Sequence, residues 1–231
     1  MKTDKGIEIL STLEELVHPQ HTALLVYDMQ VGICSQVPGA NAIVEKVGVV
    51  LDAARACGMR VAFSRHLSLP LRWMGVTQLR TAMAWQRRDD PDAVVPWFPR
   101  DAEAAEIVPA LAPRADEAVF DKVAMSAFDS TALAFALRDC GVGAVAIAGI
   151  ALEIGIEPTA RQAADNGFVS VVIEDACGFG NVQARDRAIA TLGFIGDTLI
   201  TQVGPFCAAL GADPPPPPLP ETQVKSILRE P

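Results

Sequence analysis

Ala144-Val-Ala-Ile-Ala-Gly149-Ile-Ala-Leu-Glu-Ile-Gly155-Ile-Glu-Pro-Thr-Ala-Arg161 reads as a buried strand that runs through a tight turn into a helix. The apolar run ends at Gly149, where the backbone can bend sharply. The helix that follows would point its unpaired N–H groups beyond the strand's carboxyl end, which is where ligands bind in open α/β sheets. Negative charge developing there is stabilised without any side chain.

Upstream, Thr22-Ala-Leu-Leu-Val-Tyr27 is a continuous apolar run ending in Asp28, the pattern of a strand buried on both faces with a carboxylate at its end. Residues 41–57 carry helical spacing and stop at Gly58. Residues 59–64 give a second strand, followed by Arg65 and His66, and residues 116–121 a third, followed by Lys122. Between these two strands, residues 67–100 hold all three tryptophans (Trp73, Trp85, Trp97) among scattered prolines, as expected of a lid or a subunit contact. Short helices are expected over 101–111 and 205–210, and longer ones over 129–140, 155–167 and 183–192. The fifth and sixth strands fall at 169–173 and 198–201. This alternation predicts a single doubly wound α/β domain over residues 22–211. Its six-stranded parallel sheet has the order 3-2-1-4-5-6, helices cover both faces, and the pocket lies above strands one, three and four. Residues 1–21 are expected to form an N-terminal arm. Residues 212–231, with five successive prolines from Pro214 to Pro218, form an extended Pro-rich C-terminal tail.

Composition bounds the partners. A chain of 231 residues with 50% hydrophobic content can bury a large core in one domain. A net charge of −9, with no run of Lys or Arg, argues against nucleic acid or a membrane surface and leaves small molecules or proteins. The five cysteines show no CxxC spacing, which fits reduced thiols in the cytoplasm. The start of the chain is charged rather than apolar, and no later run approaches membrane-spanning length, so a soluble cytoplasmic protein is expected. Of three histidines, His18 and His21 belong to the arm, and none follows His66 closely enough to complete a metal site. No metal and no cofactor are expected, and His66 either lines the pocket or is structural.

Three separated segments carry a resemblance: Leu25-Val-Tyr-Asp28-Met-Gln30, Lys122-Val-Ala-Met-Ser126-Ala-Phe128, and Ala148-Gly149-Ile150-Ala151 running into a helix. In order and spacing they resemble the signature segments of the isochorismatase-like hydrolases, also called cysteine hydrolases. The resemblance implies a hydrolase that forms a homodimer or homotetramer. It also implies that Asp28 and Lys122 flank a catalytic Cys at the start of the helix after strand four, and that the peptide before Ala151 is cis. Aligning Gly149 and Thr159-Ala160 puts Gly155 where that Cys is expected, and none of Cys34, Cys57, Cys140, Cys177 or Cys207 is placed to replace it. Isochorismatases proper, which hydrolyse a vinyl ether, also lack the thiol. Their local Ala-His-Ile-Gly pattern is similar to Leu152-Glu153-Ile154-Gly155 here.

The chemistry fits that departure. Amide hydrolysis without a nucleophile must position water itself, whereas vinyl-ether hydrolysis begins with protonation of a carbon and leaves an oxocarbenium ion that water captures. Asp28 is the expected general acid and Lys122 its electrostatic partner, with the Ala151 and Gly155 amides binding developing negative charge. The substrate-side candidates are Gln30, His66, Phe128, Glu153 and Arg87. Glu153 either caps the helix or is a second carboxylate that orients water, and Arg87 either binds a substrate carboxylate or joins a salt-bridged interface. Three functions stay open. One is a cofactor-free hydrolase of a small carboxylate-bearing vinyl ether such as isochorismate. Another is an amide or ureide hydrolase using activated water, for which Gly155→Cys is expected to raise amidase activity. The third is a catalytically silent small-molecule binder.

Overall fold

The computed structural model describes Thr3 and residues 5–211; the Pro-rich tail expected from residue 212 onward lies outside them. A short helix, α1 (Leu13–Leu16), precedes β1 (Thr22–Tyr27), and α2 (Val31–Cys34) and α3 (Ala40–Ala56) lead to β2 (Arg60–His66). Helix α4 (Val76–Gln86) lies in the long connection to β3 (Ala118–Lys122). Then α5 (Leu133–Asp139), β4 (Ala144–Ile150), α6 (Glu157–Asp165), β5 (Val169–Gly178), α7 (Val182–Ile195), β6 (Thr198–Thr201) and α8 (Val203–Ala209) follow in alternation. The strands form one parallel sheet in the order β3-β2-β1-β4-β5-β6, as the alternation predicts.

Every residue of β1 and β4 is buried, which is why neither shows the two-residue period of a half-exposed strand. One face of the sheet packs on α3 and α8 through residues such as Val47, Val50 and Phe206, and takes in Leu16 and Val17 from the N-terminal arm. The other face packs on α5, α6 and α7 through Leu133, Leu137, Ala160, Ala163 and Leu192. Strand order reverses between β1 and β4, so their carboxyl ends diverge into the crevice where an α/β sheet binds ligands. At that point Tyr27 pairs with Gly149, whose φ of 140° suits glycine and where a Cβ would meet the Tyr27 carbonyl oxygen at 2.0 Å.

Among the segments that differ from expectation, three do so for evident local reasons. Residues 101–111 form two single 3₁₀ turns, not a helix, because Ile107 bridges to Gln30, Val108 donates to the Met29 carbonyl, and Pro109 has no N–H to continue a helix. Strand β5 runs to Gly178, past the expected end at 173. A bulge between Ile147 and Gly149 lets Cys177 and Gly178 pair with β4, while Glu174 and Asp175 reach Arg185 and Lys46 at the margins. The helix expected from Gly155 opens as a wide π turn over Leu152–Ile156, in which the Ala151 carbonyl accepts from Gly155 and Ile156 at 3.0 and 3.2 Å.

Candidate active site

Asp28 is the first residue beyond β1 and has a positive φ of 47°, uncommon for a side chain and frequent where a carboxylate is aimed into a site. Its two oxygens have separate partners. Oδ1 accepts from Ser64 Oγ at 2.6 Å and Oδ2 from Lys122 Nζ at 2.7 Å. The Lys122 side chain is wholly buried, donates also to the Ala124 carbonyl at 3.2 Å, and lies 4.5 Å from the centre of the Tyr27 ring. The Tyr27 hydroxyl donates in turn to the Met125 carbonyl. Burial, and then the nearby Asp28 charge, push the phenol well above its ordinary range, so it remains a donor.

Above this group opens a cavity of about 530 Å³ whose wall includes Tyr27, Asp28, His66, Arg87, Ala151 and Gly155. Lys122 lies behind Asp28 and is not part of the wall. Arg87 takes a left-handed conformation, φ 52°, at the carboxyl end of α4, and Trp85 on the same helix stacks on Trp97. The segment 67–100 therefore borders the cavity.

His66, at the end of β2, faces the cavity and meets the Phe98 ring edge-on. Burial, and then the Lys122 ammonium, hold its imidazole below the usual range. The unfolded chain therefore takes up the proton first as pH falls, and the neutral buried form loses stability below the unfolded value of about 6.5. Between about pH 7.5 and about pH 5.5 the melting temperature should fall more steeply for the natural chain than for His66→Gln. Parallel profiles would exclude this cause.

The remaining sequence candidates occupy other places. Gln30 is fully buried and serves the backbone: Oε1 accepts from the His66 amide at 2.6 Å, and Nε2 donates to the carbonyls of His66 and Ala105. It fixes the rim of the site and does not line it. Phe128 stacks on Phe168 in the core below, and it too is absent from the wall. Glu153 Oε1 accepts from the amides of Gly180 and Asn181 at 2.7 and 2.9 Å, so it clamps the loop after β5 and neither caps its own helix nor faces the cavity. The Gly155 amide is spent on the Ala151 carbonyl and is not presented to a ligand. What Gly155 supplies is space, since a Cβ there would lie 1.8 Å from Tyr27 Oη and 2.4 Å from Cζ. Gly155→Cys alone therefore has no room, and the amidase gain expected from it does not follow.

Two participants were absent from the sequence-based set, Tyr27 and Ser64. Both end strands of the predicted sheet next to Asp28 or His66, and a polar group at the carboxyl end of a buried strand was the available signal. Among the described residues no group of three or more His, Cys, Asp or Glu could hold a metal ion, and no helix is long and apolar enough to cross a membrane.

The crossover at β1 and β4, the buried Asp28–Lys122 pair and a cis peptide between Ile150 and Ala151 coincide with the signature segments. A family model, the isochorismatase domain, matches residues 22–202. The chain belongs to the isochorismatase family. Among relatives in that family, the ureidoacrylate amidohydrolase RutB of Pantoea ananatis is 27% identical over 211 residues, covering 84% of this chain and 83% of its own. An uncharacterized isochorismatase family protein, YecD of Escherichia coli O157:H7, is 30% identical over 176 residues, covering 73% and 85%. Of solved isochorismatase-fold structures, a cysteine hydrolase from Pseudomonas syringae superposes with a TM-score of 0.73 at 21% identity, covering 85% of this chain and 95% of its own. An isochorismatase family protein from Burkholderia thailandensis gives 0.69 at 27%, covering 84% and 97%. Its membership makes the chain a hydrolase of this family, and small-molecule substrates are consistent with the family's enzymes.

Proposed function

We propose that the chain is a cofactor-free, thiol-free hydrolase of a small carboxylate-bearing vinyl ether of the isochorismate type. One observation carries the reading: residue 155 has no space for a nucleophilic side chain, while the Asp28 carboxyl group faces the cavity beside that position. Without a covalent intermediate the chemistry falls to proton transfer and water. Asp28 gives its proton to the terminal vinyl carbon, and the carbon bearing the ether oxygen becomes an oxocarbenium centre. Water adds there, its proton returns to Asp28, and the resulting hemiketal collapses to pyruvate and the alcohol. The substrate carboxylate entering the cavity brings a charge that offsets the Lys122 ammonium beside Asp28.

Arg87 supplies the cation on the cavity wall that would hold that carboxylate. Arg87→Gly keeps the left-handed backbone without strain and removes the side chain with its guanidinium. It should raise KM about tenfold or more, the worth of one charge-assisted hydrogen bond, and leave the melting temperature unchanged or higher. An unaltered KM would remove Arg87 from the site.

The RutB relative supports a second reading, in which Asp28 acts as base on a water that attacks a ureide or amide carbonyl. Turnover of isochorismate beside a panel of ureides and carboxamides separates the two. Pyruvate release supports the vinyl-ether reading, ammonia or carbamate release the second, and binding without turnover would leave a silent binding protein.

A further inference from the structure

We propose that the Tyr27 hydroxyl is a catalytic hydrogen-bond donor at the reaction centre, taking the position that a side chain at residue 155 would otherwise fill. Tyr27 Oη stands 1.8 Å from where a residue-155 Cβ would be, about one bond length, so it occupies the volume of that side chain's first atoms. The ring is held from several sides. Lys122 Nζ packs over its face, Gly149 admits the Tyr27 backbone, and the hydroxyl donates to the Met125 carbonyl, itself on the cavity wall. The phenol borders the cavity next to Asp28. Its partner Met125 is a neutral acceptor that a more negative substrate oxygen can displace.

The assignment rests on the thiol-free reading above and completes its last step. In the hemiketal, the bond between the former ether oxygen and the pyruvyl carbon must break with its electron pair going to the departing oxygen. Tyr27 gives its proton to that oxygen as the bond breaks. The hemiketal hydroxyl proton passes through Asp28 to restore the phenol, and the carbonyl of pyruvate forms. Burial and the Asp28 charge keep the phenol protonated, so it enters this step carrying the proton that it gives up.

Tyr27 is the single tyrosine in the chain, which makes the test direct. Tyr27→Phe keeps the ring and should lower kcat about 100-fold on an alkyl enolpyruvyl ether, within the usual range for one proton-transfer group, with KM nearly unchanged. On an enolpyruvyl ether of an acidic phenol, whose oxygen leaves without a proton, the loss should shrink to a few-fold. An equal loss on both substrates, or none on either, overturns the assignment while leaving the vinyl-ether reading intact. Absence of wild-type turnover on either ether overturns that reading instead, and a second measurement then decides Tyr27. Uniform 3-fluorotyrosine labelling gives one fluorine resonance, which should move on titration with pyruvate or with oxamate, a carboxylate that also carries a carboxamide. A resonance unmoved by both overturns the assignment whatever the turnover result.

Discussion

Asp28→Asn is expected to abolish turnover, lowering kcat by about 10³-fold or more, within the range a positioned acid or base supplies. The amide is nearly isosteric but has no proton to give to carbon and cannot take one from water. The same change also strips Lys122 of its counter-charge. That ammonium is wholly buried, its one other acceptor among the described residues being the Ala124 carbonyl, and removing one partner of such a pair costs about 3–5 kcal/mol. Against a total stability of about 5–15 kcal/mol that loss is large enough to unfold part of the population, so inactivity alone does not separate the two effects. Asp28→Asn/Lys122→Met does so. Replacing both partners removes the stranded charge, so the melting temperature should recover most of what the single variant loses, while activity stays absent. A double variant that regains stability and activity together would show that Asp28 serves the fold and not the chemistry.

The parts of this arrangement that were legible from sequence share a cause. Strands β1 and β4 are buried on both faces, so their residues are continuously apolar, and the first polar residue after β1 marks the carboxyl edge where sites form. Asp28 and Lys122 each stand at such a strand end, one beyond β1 and one closing β3. What was illegible depends on register. Tyr27 closes an apolar run, so its place marks the edge of the site but not where its hydroxyl goes. Only its pairing with Gly149, and the wide turn that follows β4, carry its hydroxyl to residue 155. Gln30 and Phe128 lie in the signature segments, yet each is satisfied inside the scaffold, by backbone groups of β2 in one case and by Phe168 in the other. Glu153 looked like a helix-terminal acid because its neighbours in sequence are helical, whereas its partners Gly180 and Asn181 arrive from beyond β5. Side-chain partners more than twenty residues away are fixed by how strands align, which periodicity does not encode.

Gly155→Ala tests that register most sharply, because intrinsic propensity and packing pull in opposite directions. Alanine is better than glycine in a helical turn by about 1 kcal/mol, so local preference alone predicts a gain. The added methyl would instead sit 1.8 Å from Tyr27 Oη, 2.4 Å from Cζ and 2.7 Å from Cε1, all far inside contact distance. The ring has little freedom to yield, being 2% exposed, beneath Lys122 and tied to the Met125 carbonyl. Overpacking of a dense core costs about 1–3 kcal/mol and occasionally more, enough to overcome the propensity gain. The variant should melt several degrees lower and lose activity as the phenol and Asp28 are displaced. The decisive comparison is Tyr27→Val/Gly155→Ala, which removes the obstructing ring. If the two positions share one volume, the double variant will be more stable than the sum of the single losses allows, a coupling of about 1 kcal/mol or more between residues 128 positions apart in the chain. Additive losses would mean that the ring moves aside freely, and the steric reason for a glycine at 155 would fail with it. The same result would readmit a cysteine at 155, and with it the nucleophilic chemistry that this packing now shuts out.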